Sequence, residues 1–260
     1  MTQTGQRSTD PQDYQGLPQA IGAMSKRFTD GHVIPVHCHQ RDQLLYAASG
    51  IMRLQTERRA WVVPPDGAIC IPGGTDHTVR MFGPVDMRTL YIDAASVRER
   101  PRPLCVIAVS SLLRELILAL SEEPMVYEPE SRAAQIARLI EIEIAVAREL
   151  ALHVPLPTDP RLQTLCAALM ADPSDSRTLD HWSQVSGASA RTLARLFDQD
   201  LGIGFTEWRQ RVRFQSAIES LSRGNPVSIV ARNHGYSSPS AFSSAFRKVM
   251  GIAPSDVAAD

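Results

Sequence analysis

The sequence predicts a two-domain α+β protein: an N-terminal antiparallel β-barrel, a set of linker helices, and a C-terminal all-α domain with two helix-turn-helix units. Three observations lead there. Between about Phe28 and Asp93, short apolar runs alternate with Gly- and Pro-bearing turn signals, the pattern of a sandwich or small barrel. From Val109 to His153 the apolar spacing becomes helical. Beyond Pro157 everything reads as short helices, and part of that text repeats itself at a spacing of 49 residues.

Composition sets the frame. The 260 residues are 43% hydrophobic and 21% charged, which suits two packed cores and excludes a disordered chain. No apolar run approaches the ~18 residues of a membrane helix. The polar opening has no apolar h-region, so residues 1–20 are expected to form a flexible arm. Cys38, Cys70, Cys105 and Cys166 never fall in a C-x-x-C pair, which fits free thiols in a reducing cytoplasm. The net charge of −1 points to no partner, but its distribution is uneven. Between Gly187 and Met250 there are 9 basic against 4 acidic residues, so +5, whereas residues 1–157 carry 16 against 18, so −2.

In the barrel region, 21–100, the strand-like runs are Gln43–Ala48, Trp61–Val63, Ala68–Ile71 and Arg88–Ile92. They are separated by turn signals at Ser49-Gly50, Pro64-Pro65-Asp66-Gly67, Pro72-Gly73-Gly74 and Gly83-Pro84. On a strand, His37 and His39 point the same way and Cys38 points away. His77 from a later hairpin supplies a third imidazole, and Gln43 a fourth, neutral donor. Such a set suits a divalent metal, whether zinc, nickel or iron. Alternatively the histidines hydrogen-bond inside the barrel or to an organic effector. Tyr46, Trp61 and Tyr91 are the aromatic candidates for lining an effector pocket, or are simply core.

The linker region, 105–155, divides into Ser110–Ser121 and Glu130–His153 around a break at Pro124 to Pro129. In the second stretch the apolar residues from Ile136 to Leu150 spread over roughly 200° of the helix, wider than one core-facing stripe. Two packing surfaces are expected, one on the chain's own barrel and one on a second copy, unless the helix is buried between two domains. Glu143 falls inside that apolar arc without an evident reason.

The repeat lies in the last region, 158–260. Ser189 falls on Ser238, Leu193 on Phe242, Phe197 on Phe246, Leu201 on Met250, Gly202 on Gly251 and Ile203 on Ile252. Each copy reads helix, Gly turn (Gly187, Gly235), capped helix, with Asn225 and Pro226 expected to start the second copy. Helices separated by a tight Gly turn form the helix-turn-helix unit, whose second helix can enter the major groove. A connecting helix over about Phe205 to Ser222 holds the copies apart.

The stretches Arg211-Val-Arg-Phe-Gln-Ser-Ala-Ile-Glu-Ser-Leu and Val230-Ala-Arg-Asn-His-Gly-Tyr236-Ser-Ser-Pro-Ser-Ala-Phe242-Ser-Ser-Ala-Phe246-Arg-Lys-Val-Met-Gly251-Ile-Ala-Pro254 resemble the DNA-binding signature of the AraC/XylS family of transcription regulators. Ser189-Ala-Arg-Thr-Leu-Ala-Arg-Leu-Phe197 resembles its first recognition helix. The resemblance implies two units reading successive major-groove faces. The chain departs from common members at Ser244 and at Asn233-His234. On this reading the DNA contacts of the first unit are Ser189, Arg191, Thr192, Ala194 and Arg195. Those of the second are Ser238, Ser240, Ser243, Ser244, Arg247 and Lys248. Gly31-x5-His37-x-His39-x3-Gln43-x6-Gly50 and Pro72-x-Gly74-x2-His77 are similar to the two motifs of the cupin superfamily, with Gln43 where metal cupins usually have Glu.

The expectation is therefore a cytoplasmic, dimeric, effector-responsive regulator that binds double-stranded operator DNA and is not an enzyme. The alternatives are a metal-dependent cupin enzyme with a helical appendage, and a DNA-binding structural protein whose barrel is only a dimer platform.

Overall fold

The computed structural model describes residues 7–65, 67–98, 102–150, 152–250 and 253–257. Gly251 and Ile252, at the exit of the repeat, and residues 1–6 of the expected arm lie outside them. The chain forms two compact units, and neither is a single stretch of sequence. One comprises Met1–Arg53 and Val63–Leu150, the other Leu54–Val62 and Ala151–Asp260. No helix among the described residues is long and apolar enough to cross a membrane.

The first unit is an antiparallel sheet with two helices on one face. Its strands are β1 (Ile21–Phe28), β2 (Val33–His37), β3 (Asp42–Gln55), then β5 (Gly67–Ile71), β6 (His77–Ile92), β7 (Cys105–Ala108) and β8 (Glu149–Leu150), with β4 (Arg59–Val63) between β3 and β5 in sequence. The order is β1-β6-β3-β5-β7-β8, and β2 pairs with β6. Two of the expected turns are bends inside long strands. Gly50, at φ +79°, lies in β3, and Gly83-Pro84 lies in β6. A Cβ on Gly50 would come within 2.5 Å of the Pro84 carbonyl oxygen, so glycine is required where the two bends pass each other.

The linker region is not a pair of free helices. Its first residues form β7, and α1 (Ser111–Glu122) and α2 (Arg132–Val146) pack on the sheet. Leu113, Ile117, Ile136 and Ile140 meet Leu44, Tyr46 and Leu90 in one core. Serines cap both helices, Ser110 accepting from the Leu113 N–H and Ser131 from the Ala134 N–H. Glu143 now has a reason, because its carboxylate accepts a 2.7 Å hydrogen bond from the Ser110 hydroxyl. The second helix ends at Val146, short of His153, where the chain turns extended.

Residues 7–20 also depart from the expected arm. Asp10 caps a single 3-10 turn at Pro11–Tyr14. Tyr14 is buried and stacks on Tyr91 with ring centroids 5.4 Å apart. The buried Arg41 guanidinium donates to the carbonyls of Gln15 (3.2 Å), Gln19 (2.9 Å) and Leu17. An aromatic anchor and a buried cation satisfied by three carbonyls hold this segment down.

In the second unit β4 pairs with β9 (His153–Pro155). Six helices follow: α3 (Pro160–Ala171), α4 (Leu179–Ser186), α5 (Ala190–Leu196), α6 (Phe205–Ser222), α7 (Val227–Asn233) and α8 (Pro239–Met250). A π-turn at Phe197–Leu201 continues α5. Leu165, Trp182, Leu193, Phe197 and Trp208 form one core. Around α7 and α8 a ring cluster joins Phe214, Tyr236, Phe242 and Phe246 at centroid distances of 5.2–6.0 Å. Gln215 on α6 donates 3.0 Å to the Ala60 carbonyl, and the Trp208 indole N–H donates 2.8 Å to the Pro155 carbonyl.

Candidate DNA-reading helices and a histidine cup

Helices α4 and α5 form the first helix-turn-helix. Thr178 caps α4 through the His181 N–H, and Gly187 closes it in the left-handed region at φ +68°. Ser189 then caps α5. The Ser189 hydroxyl accepts from the Thr192 N–H at 3.2 Å and lies 2.9 Å from the Thr192 hydroxyl. Ser189 and Thr192, two of the predicted contacts, thus also form the cap. Leu193, Leu196 and Phe197 are buried, which turns Arg191 and Arg195 outward. Thr192 and Ala194 are half-buried beside them. Arg195 donates 2.9 Å to Gln199, a partner that the i, i+4 spacing could have shown.

Helices α7 and α8 form the second. The start of α7 differs from expectation. Asn225 donates its amide to Ser220 rather than capping, and no side chain caps the helix. Gly235 turns the chain at φ +80°, and the Ser238 hydroxyl accepts from the Ala241 N–H at 3.2 Å. Phe242, Phe246 and Met250 are buried. Ser240, Ser244, Arg247 and Lys248 are exposed, and Ser243 is half-buried. Buried in the turn, His234 has its Nδ1 2.8 Å from the Val230 carbonyl, and desolvation lowers its pKa.

The first unit holds the histidines. His37 and His77 are direct cross-strand partners of β2 and β6. His39 lies beyond the end of β2, yet its ring still meets theirs, with centroid separations of 4.3–5.8 Å among the three. One nitrogen from each can be chosen so that all lie within 4.8 Å of one another. Nδ1 of His37 faces the Pro35 carbonyl and Nδ1 of His77 the Thr75 carbonyl, both at 2.8 Å. A carbonyl only accepts, so each Nδ1 carries the proton and each Nε2 keeps a free lone pair. Among the described residues, His77 Nε2, His39 Nδ1 and Gln43 Oε1 are buried without a hydrogen-bond partner. Buried polar atoms left without a partner at a cluster of three imidazoles fit a cation. Burial and the two neighbouring imidazoles lower the His39 pKa to about 4, so this ring is neutral.

A cavity of about 260 Å³ opens from His37, His39 and Gln43. Tyr91 lines it, with its ring 5.1 Å from that of His39. The other two aromatic candidates do not. Gln43 and Leu45 alternate into the cavity, so Tyr46 points to the opposite face of β3, into the core with α1 and α2. Trp61 is buried in the second unit, 6.3 Å from the His153 ring.

Comparison with known proteins finds matches to two families, two relatives and a solved structure. Residues 23–199 match the family described as AraC-like ligand binding domain, and residues 182–260 match the family described as helix-turn-helix domain. The chain is 31% identical over 226 residues to the HTH-type transcriptional regulator NimR of Escherichia coli K12, covering 87% of this chain and 82% of that protein. It is 34% identical over 101 residues to the HTH-type transcriptional regulator RipA of Corynebacterium glutamicum, covering 39% of this chain and 30% of that one. A solved structure of ToxT from Vibrio cholerae matches 92% of this chain and 97% of its own at 10% identity, with a TM-score of 0.37.

Proposed function

Since the chain belongs to the AraC family of ligand-binding, helix-turn-helix transcriptional regulators, we propose that residues 158–260 read a double-stranded operator through α5 and α8, and that the barrel around residues 21–100 senses a small molecule. The observation that carries this reading is the repeated capped helix with its buried stripe turned in and a polar face turned out. Arg191 and Arg195 are the base readers of the first unit, because Arg pairs bidentately with guanine O6 and N7. Ser240, Ser243, Ser244, Arg247 and Lys248 give the second unit its phosphate and water-mediated contacts. Effector binding and DNA binding are then linked as a coupling free energy, reciprocal between the two sites. Footprinting the protein on its own upstream DNA, with and without candidate effectors, tests the reading. No protected site in either condition would overturn it.

The protein acts as a homodimer in the cytoplasm on this proposal. On α2, Leu139, Ile142 and Val146 are 45%, 38% and 73% exposed and lie on one face, while Ile136, Ile140 and Ile144 are buried in the barrel's core. This outer stripe is the contact with the second copy. Val146→Lys should give folded monomers by sedimentation, since the side chain is exposed within one chain. A wild type that is monomeric at micromolar concentration would remove the stripe's role.

The histidine cup holds a divalent ion, with His37, His39 and His77 as ligands and Gln43 beside them. Elemental analysis after chelator-free purification should give near-stoichiometric zinc, nickel or iron, absent in His77→Ala. The cup is also the one observation that favours the second reading, a metal-dependent cupin enzyme. Turnover by a protein that protects no DNA would establish that reading instead.

A further inference from the structure

The cavity beside the histidine cup says something about what fills it, provided the cup holds a divalent ion as proposed above. Its walls are apolar, formed by Met24, Ile34, Leu45, Val79 and Met87. Its polar lining is His32, His37, His39 and Gln43, with Lys26 and Tyr91, and among the described residues no acidic side chain lines it. Lys26 is the lining residue with a full charge, and it is positive. Among the described residues, the metal-capable group at the cup is three histidines without a carboxylate. Asp42, next to Gln43, is turned away and accepts the Gly73 N–H at 2.8 Å. Three imidazoles and an amide carry no negative charge of their own, so the ligands leave the charge of a divalent ion uncompensated. An unpaired charge held out of water is strongly unfavourable.

We infer that the ligand of this cavity is a small organic carboxylate, whose head supplies the missing negative charge at the cup and whose apolar body fills the sac. Size limits the body. A volume of about 260 Å³ lies just below the ~300–1,000 Å³ of drug-sized sites. That admits one ring or a short branched chain. A sugar fits poorly, because the walls between Met24 and Val79 offer it few hydrogen bonds. A neutral amide of the same shape leaves the ion's charge unmatched.

The test uses the full chain loaded with cobalt(II), whose visible absorption reports on its ligands. Three probes separate head from body: benzoate, benzamide and acetate. Benzoate should change the spectrum, benzamide should not, and acetate should bind at least about tenfold more weakly, a difference of about 1.4 kcal/mol. Gln43→Glu should still bind cobalt but lose at least about tenfold in benzoate affinity, because the new carboxylate supplies the charge from within. The comparison of benzoate with benzamide on the wild type stands even if that variant fails to fold. Cobalt that binds and is lost in His77→Ala, with a spectrum indifferent to benzoate or equally shifted by benzamide, overturns the carboxylate while leaving the metal reading intact. A chain that takes up no cobalt overturns both.

Discussion

Laid on one another at the 49-residue spacing, the two recognition helices match inside and differ outside. Leu193 and Phe197 of α5 fall on Phe242 and Phe246 of α8, and all four are 0% exposed. On the outer face Arg191 falls on Ser240 and Arg195 on Ser244. Further along, Asp198 and Gln199 fall on Arg247 and Lys248. All eight of these outer residues are exposed. The second copy is not short of positive charge; it carries it about one and a half turns nearer the C-terminus. The N-terminal part of a recognition helix meets base edges, so position along the helix decides what an arginine can do. On the proposed function, the first copy reads bases and the second holds the backbone.

The largest expected effect would break the shared interior. Phe242→Ala opens the ring cluster of the second copy and should cost about 3–5 kcal/mol, whereas Leu193→Ala in the first should cost about 2–5 kcal/mol. Denaturant unfolding measures both. Equal and small losses would mean that the matched residues are not matched cores.

Next come the outer faces. Arg191→Ala or Arg195→Ala should each lose about 1–3 kcal/mol on the operator and relax the preference for one guanine. Ser240→Ala and Ser244→Ala should lose less. Lys248→Ala should weaken operator and scrambled DNA alike and flatten the salt dependence by about one charge. Affinities on both DNAs at two salt concentrations decide. If the arginine variants lose equally on both DNAs, the contrast between a reading and a holding copy is wrong.

Acid should separate the copies more gently. His234 is buried in the turn of the second copy, just before Gly235, where the first has the half-buried Ser186 just before Gly187. Desolvation lowers its pKa in the folded chain. A base with a depressed folded pKa contributes stability that is present above its unfolded pKa of about 6.5 and is lost as pH falls below it. His153, on β9 of the same unit, adds to this, since burial and then Arg211 and Arg59 bring its pKa to about 4. The unit should therefore weaken between about pH 6.5 and 4. His234→Gln should flatten part of that slope in urea titrations at pH 7.5 and 5. An unchanged slope would show that His234 titrates alike in the folded and unfolded chain.

Much of this was legible from residue types alone. Gly187, Gly235, Ser189 and Ser238 announce their turns and caps because φ > 0 and N-cap chemistry admit few residues. The histidine trio was legible for a similar reason, since imidazoles at i and i+2 beside a later imidazole leave little choice of chemistry. Strand parity was harder. Tyr46 and Trp61 are apolar in composition whichever way they point, and only the pairing of β3 settles which face is the cavity. The turn signals at Gly50 and Gly83 misled because glycine serves a close crossing of two strands as well as a reversal. The packing of Tyr14 and the grip of Arg41 on residues 15–19 involve partners far apart in sequence, which local patterns do not encode. Glu143 looked misplaced until Ser110 stood opposite.

The noncontiguous second unit bears on how such a protein can be cut. A gene fragment beginning at Thr158 looks like a self-contained DNA-binding piece, yet it omits the Ala60 carbonyl that takes the Gln215 amide and the Pro155 carbonyl that takes the Trp208 indole. Both donors come from buried residues, and each lost hydrogen bond costs about 0.5–1.5 kcal/mol. Recombination that exchanges C-terminal halves between regulators at such a junction would pass on the reading helices without the floor they stand on. Chimaeras that also carry the 54–62 hairpin and the 151–157 segment should be the ones that keep their shape.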